Sequence, residues 1–74
     1  MKKLLILTFG LKGKNWKIRK RVWRELTQVG AKLLYRSHWI LPYNRKNLSE
    51  FKRICEDIRK FGGKAEVIRG EKVV

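Results

Sequence analysis

The sequence predicts one α+β domain over residues 1–74, in which an antiparallel sheet carries two helices on one face. Three observations predict this fold class: an apolar run near the start, two segments with helical periodicity, and three further short segments typical of strands. A chain of 74 residues with 43% hydrophobic residues can form one small core and no more.

The first predicted strand and helix lie in the first half of the chain. Residues 4–7 form a continuous apolar run before Gly10, as expected for a strand in the middle of a sheet. Asn15 can cap a helix that begins at Trp16, and Gly30 supplies the left-handed residue that ends it. One stripe of this helix is predicted to face the core: Ile18, Val22, Leu26 and Val29.

Two short strands are predicted next. They cover residues 31–36 and 38–41, with a tight connection near Ser37, and Pro42 stops the second one. The break at Ser37 is also compatible with a bulge in a single strand.

The second half contains a helix and a last strand. Asn47 followed by Glu50 matches a capping box, which predicts the start of the helix. The glycine pair 62–63 ends it, residues 64–69 predict the last strand, and residues 70–74 form a tail of uncertain order. The predicted core stripe of this helix consists of Leu48, Phe51, Ile54, Cys55, Ile58 and Phe61. The order β-α-β-β-α-β is the ferredoxin-like split βαβ arrangement, with both helices on one sheet face.

The other face of the predicted sheet has no covering element. The single Cys55 cannot form an intramolecular disulfide, and no set of Cys and His residues has zinc-ligand spacing. A domain this small that has neither a disulfide nor a structural metal commonly gains stability by forming an oligomer. We therefore expect a homodimer that buries the uncovered apolar face.

The charge of the chain is strongly unbalanced. The chain has twenty Lys and Arg residues but only six Asp and Glu residues, which gives a net charge of +14 and a pI of about 10.7. Such an excess is typical of proteins that bind nucleic acid or an anionic membrane. No apolar run is long enough to span a bilayer, and the start of the chain reads as a strand rather than a signal peptide. A single free thiol fits a reducing compartment. We therefore expect a cytoplasmic protein whose partner is DNA or RNA, with no membrane association.

The cations of the first helix form a stripe opposite its core residues. Arginines and lysines here are not interleaved with acids, as they would be on a helix supported by ion pairs. A phosphate backbone would relieve their mutual repulsion. A plain basic surface, or one that docks onto an acidic protein, stays open as an alternative. The predicted nucleic-acid-binding residues are Lys12, Lys14, Lys17, Lys20, Arg21 and Arg24. Trp16 and Trp23 are predicted at the edge of the core rather than as stacking platforms.

The sequence gives no pattern for catalysis, a metal site or a cofactor. The six acids are dispersed, and the glycines do not form a phosphate-binding loop. Cys55 lies on a core stripe, which favours a structural thiol over a nucleophile, and His38 is predicted at the surface. We therefore predict no catalytic residue, no metal ligand and no cofactor.

The chain shares one sequence pattern with a known family: the run R-x-R-V-W-R-x-L, followed by G-A, a strand pair ending in L-P and a helix ending in G-G-x-A. In this pattern the sequence resembles the N-terminal domain of the ChrB family of chromate-resistance regulators. The matching positions are Arg19, Arg21, Val22, Trp23, Arg24, Leu26, Gly30, Ala31, Leu41, Pro42, Gly62, Gly63 and Ala65. That domain is similar in fold to the small CRISPR adaptation subunit and to part of the phenylacetate-pathway repressors.

The resemblance implies a ferredoxin-like fold, dimerisation and a link to nucleic acid or transcriptional control. It covers only the N-terminal domain of the regulators, so a chromate response is not implied. A metal-dependent nuclease related to the CRISPR subunit is the alternative function. Thr8, Phe9 and Gly10 stand where those subunits place an aspartate after the first strand, and the metal ligand of such an activity would be missing.

Overall fold

The computed structural model of the chain describes residues 2–11, 16–35 and 38–72. Its elements are β1 (Lys2–Gly10), α1 (Trp16–Gln28), β2 (Lys32–Tyr35), β3 (His38–Pro42), α2 (Arg45–Lys60) and β4 (Lys64–Lys72). This order confirms the predicted α+β fold with the ferredoxin-like split βαβ arrangement.

The four strands form one antiparallel sheet in the order β2-β3-β1-β4. β1 is central, as its continuous apolar run predicts, and it pairs with β3 on one side and β4 on the other. β2 and β3 are separate paired strands, with a register shift between Leu33 and Tyr35. The predicted connection at Ser37 and the predicted helix cap Asn15 lie outside the described residues.

The core lies between the sheet and the two helices. Leu5 and Leu7 alternate with outward-facing neighbours along β1 and are completely buried beneath the helices. The prediction for α1 is confirmed at its centre, where Val22 and Leu26 are buried, while Ile18 and Val29 are half-buried against the same cluster. The other buried side chains are Ala31, Trp39, Leu41, Phe51, Ile54, Cys55, Ile58 and Ala65.

The predicted start of α2 is wrong by three residues. Asn44, not Asn47, is the N-cap, and its Oδ1 accepts a hydrogen bond of 2.7 Å from the backbone N–H of Asn47. The Asn47 side chain instead donates to the carbonyl oxygen of Pro42 at 2.9 Å. Glu50 takes no part in a capping box in this arrangement because Asn47 is already inside the first helical turn.

The end of α2 explains why two glycines follow it. Gly62 has a φ of +82°, the left-handed conformation that ends many helices. At Gly63 an added Cβ would lie 2.7 Å from Cγ2 of Ile58 and 2.8 Å from Cδ2 of Leu11, so only glycine fits there without a shift of these side chains.

The prediction that Phe61 belongs to the core stripe of α2 is wrong. Phe61 caps the helix, and 41% of its surface is exposed.

The last strand is longer than predicted. β4 continues through residues 70–72, which pair with β1 in an unbroken register down to Lys2. Part of the predicted tail is therefore ordered sheet, and residues 73–74 lie outside the described part of the chain.

Truncation of the core helices should be severe. Leu26→Ala and Ile58→Ala each remove a fully buried side chain, and we expect each to lower the free energy of unfolding by about 2 to 5 kcal/mol. Urea unfolding followed by circular dichroism measures this loss, with the exposed Gln28→Ala as the matched control on α1. A loss below about 1 kcal/mol at both core positions would show that the helix faces are assigned wrongly.

Candidate nucleic-acid interface

The cationic stripe lies on the outer side of α1. Lys17, Lys20, Arg21 and Arg24 are all exposed, whereas Val22 and Leu26 on the opposite side are buried. We call these four cations the α1 stripe. The first turn of α1 carries no acidic residue, so its positive helix end adds to the same potential. Lys12 and Lys14, predicted to extend the stripe, lie outside the described residues.

Arg21 differs from the other three stripe residues because it also lies beside Phe61, the residue that caps the end of α2. Its Nε lies 3.9 Å from Oε1 of Glu25, and its guanidinium carbon lies 5.7 Å from the centroid of the Phe61 ring. Its side chain is nevertheless 62% exposed. Within the described ranges, neither Lys17, Lys20 nor Arg24 has a carboxylate at ion-pair distance. These three are the uncompensated cations of the stripe.

Acidic side chains are gathered beside the stripe, around Arg53 of α2. Its guanidinium lies 2.9 Å from Glu50, 3.6 Å from Glu25 and 3.8 Å from Asp57. The hydrogen bond to Glu50 raises the pKa of Arg53, burial opposes this shift, and the charges of the three carboxylates add to it. Half of the six acids of the chain are therefore directed to one arginine at the junction of the helices.

The two tryptophans of α1 have different environments. Trp23 packs edge to face against the buried Trp39, with ring centroids 4.8 Å apart and an interplanar angle of 86°. It therefore lies at the edge of the core, as predicted. Trp16 is 63% exposed, so the same prediction is wrong for it. The ammonium of Lys17 lies 5.8 Å from the centroid of the Trp16 ring.

The face of the sheet opposite the helices carries an apolar row. Ile6 of β1 is directly opposite Ile40 of β3 and Ile68 of β4, so the three side chains share this face. Ile68 is 48% exposed. The register places Lys32 beside Ile40, toward the β2 edge, and Glu66 beside Thr8 on β4 at the other edge. We call this surface the open face.

The remaining reactive side chains do not form a site. Cys55 is buried in the core as predicted, and His38 is exposed at the start of β3. Within residues 2–11, 16–35 and 38–72, no group of three or more His, Cys, Asp or Glu side chains is placed to hold a metal ion. No helix in this described part is long and apolar enough to cross a membrane.

Comparisons with protein-family models, with curated proteins and with solved structures found no match. The resemblance to the ChrB N-terminal domain therefore stays a prediction from the sequence motif.

Sequence reasoning found the stripe but missed two residues that border it. The helical period predicts Phe61 in the core, and it gives no reason to select Arg53. The spacing of Glu50, Arg53 and Asp57 on one helix was a usable signal for local ion pairs. The third carboxylate, Glu25, comes from the other helix and could be found only from the packing of α1 against α2.

Replacing Arg53 tests whether it holds the helix junction together. Arg53→Met leaves Glu25, Glu50 and Asp57 close together without their shared cation. Because the side chain is 50% exposed, we expect a loss of only about 1 kcal/mol in the free energy of unfolding. Lys52→Met, an exposed neighbour on α2, removes the same charge and should lose less. The difference between the variants should shrink in high salt, and equal stability of the two would contradict this role for Arg53.

Proposed function

We propose that this domain is a non-catalytic nucleic-acid-binding module whose α1 stripe binds the phosphates of DNA or RNA. The observation that carries the proposal is the separation of charge on the surface. Lys17, Lys20 and Arg24 are exposed without a carboxylate partner in the described residues, although three acids lie nearby around Arg53. Lys12 and Lys14 extend the stripe in sequence.

Phosphate binding accounts for an arrangement that is unfavourable for the isolated domain. Cations within two helical turns repel each other, and redistributing the acids would relieve that repulsion. A nucleic-acid backbone supplies the missing anions and releases its condensed counterions when it binds. Contacts of this kind position a protein on nucleic acid without reading its sequence. The proposed binding is therefore independent of sequence, and the resemblance to ChrB regulators adds only a proposed link to transcriptional control.

We propose further that the domain binds as a homodimer formed through the open face. A second copy carries the same charge of +14, so the two copies can approach only through a surface of low net charge. The open face fits this requirement, because its apolar row of Ile6, Ile40 and Ile68 is bordered by charges of both signs. Among its described side chains Lys32 and Lys64 stand against Glu66, which leaves a charge of +1 (2 − 1) on this face.

The positions of Lys32 and Glu66 select one arrangement of the two copies. A two-fold axis parallel to the strands places β2 of one copy over β4 of the other, because these strands form opposite edges of the sheet. Lys32 of each copy then approaches the partner's Glu66. An axis perpendicular to the strands would place β2 over β2 and bring two Lys32 side chains together, which is repulsive. The arrangement parallel to the strands also leaves both α1 stripes on the outside.

Salt titration of binding tests the stripe. The triple variant Lys17→Gln, Lys20→Gln, Arg24→Gln should weaken binding to every DNA and RNA sequence and lower the slope of log affinity against log salt by about 2 to 3 units. Arg21 is kept because of its contacts with Glu25 and Phe61. The matched control is Arg45→Gln, Lys46→Gln, Lys52→Gln, which removes the same charge from exposed positions of α2.

Equal loss of affinity in the two triple variants would mean that only the net charge matters, and the stripe would not be a site. Binding that is indifferent to salt would contradict phosphate contacts altogether. Cleavage of labelled RNA or DNA in the presence of magnesium or manganese would replace the proposal with the nuclease alternative. Equal affinity for heparin, DNA and RNA would leave only a general polyanion surface.

A charge exchange tests the proposed dimer. Lys32→Glu should face the partner's Glu66 and dissociate the dimer, and adding Glu66→Lys to the same chain should restore it. Light scattering at micromolar concentration measures the mass of each variant. Ile68→Glu should also give monomers, whereas Tyr43→Glu, an exposed aromatic beside Arg69 and away from the open face, should not. A monomeric parent protein, or a double variant that stays dissociated, would contradict the interface.

A further inference from the structure

The exposure of Trp16 is not explained by the packing of the domain. It is the most exposed of the large apolar side chains in the described residues, at 63%, compared with 49% for Trp23, which packs on Trp39. An indole so exposed does little for the core, and the first turn of α1 would form as well with a polar residue in its place. Its role therefore lies outside the fold.

Trp16 lies directly beside the cations of the α1 stripe. Lys20 is four residues further along α1 and therefore neighbours Trp16 on the helix surface. Lys17 places its ammonium 5.8 Å from the ring centroid, and with 63% of its surface exposed most of Trp16 stays accessible to a ligand. A flat apolar surface is thus placed within reach of two phosphate-binding side chains. This combination suits a ligand whose planar apolar groups are attached to a chain of anions.

Unpaired nucleotides have this chemistry, and duplexes do not. In a duplex the faces of the bases are stacked on one another, and only their edges are accessible in the grooves. In a single strand each base offers a free face to an aromatic side chain, whatever its identity. An exposed indole beside phosphate-binding cations therefore favours single strands over duplexes.

An anionic membrane surface is the rival ligand, because tryptophan and lysine are also common in helices that lie in the membrane interface. Such helices insert a broad apolar face. The apolar face of α1 is occupied, since Val22 and Leu26 are buried in the core. Trp16 alone is too small an anchor, and the observations favour nucleic acid.

We infer that the α1 stripe binds single-stranded nucleic acid, and that Trp16 stacks on one unpaired base while Lys17 and Lys20 contact the neighbouring phosphates. The inference rests on the proposed phosphate binding by the stripe and adds the class of nucleic acid that it prefers. Because stacking is tolerant of base identity, the preference for single strands is not a preference for sequence.

The experiment measures how much the bases contribute to the affinity, separately from the phosphates. The full chain is titrated with a thymidylate strand, with an abasic strand of the same length and phosphate number, and with a duplex of that length, all at one salt concentration. The thymidylate strand should bind roughly tenfold more tightly than the abasic strand. Trp16→Ala should remove that difference and leave the affinity for the abasic strand unchanged. Trp16→Phe should keep most of the difference, and Tyr43→Ala, which truncates an exposed aromatic side chain away from the open face, should not alter it.

The possible failures are distinguishable. Equal affinity of the parent for the thymidylate and abasic strands, with a normal salt slope, would overturn the stacking inference and leave the proposed phosphate binding intact. Equal weakening of both strands by Trp16→Ala would also overturn it. Binding to neither strand nor the duplex would remove the proposed function and the inference with it. Binding to phosphatidylserine vesicles that is lost in Trp16→Ala, with strand binding unchanged, would assign Trp16 to the membrane instead.

Discussion

Repulsion among cationic side chains is the constraint that shapes this domain. Twenty Lys and Arg residues must be placed around a core of 12 buried side chains, and no charged side chain in the described residues is buried. Arg21 of α1 and Arg53 of α2 both lie at ion-pair distance from Glu25 at the junction of the two helices, where their own charges would repel each other. Arg53 with Glu25, Glu50 and Asp57 gives this junction a net negative contribution. Because the acids are concentrated there, the outer face of α1 carries almost no acidic side chain.

The parts of the fold that depend on periodicity could be predicted from the sequence. The apolar run of β1 and the stripe of Val22 and Leu26 need only the alternation of a strand and the turn of a helix. The start of α2 could not be located in this way. Asn44 and Asn47 are both good caps, three residues apart, and only the hydrogen bonds of the folded chain distinguish them. Asn44 accepts from the backbone N–H of Asn47, whose own side chain donates to Pro42. Phe61 follows the helical period, but the helix ends at Lys60, so the period no longer applies to it.

The residues of the candidate site differ in the same way: some of their relations are local in the sequence, and others depend on the fold. A helical wheel is enough to place Lys17, Lys20 and Arg24 on one exposed face, because that relation is local. The distinct position of Arg21 depends on Phe61, forty residues later in the chain, and the exposure of Trp16 depends on which neighbours the fold brings near it. Neither relation has a local signal. The sequence could therefore identify the stripe as a set of cations but not rank its members or find its aromatic neighbour.

The two proposed surfaces lie on opposite sides of the sheet, so a ligand on α1 does not obstruct a partner on the open face. Charge nevertheless couples them. The proposed dimer would bring two copies of charge +14 together, and a bound polyanion would reduce their repulsion, so each of the two proposed events would favour the other by thermodynamic linkage. Ionic strength acts on them in opposite directions. Salt screens the repulsion between copies and promotes dimerisation, but it weakens phosphate binding because counterion release loses its advantage. If both proposals hold, nucleic acid would be the main agent that allows two such basic domains to associate at low salt.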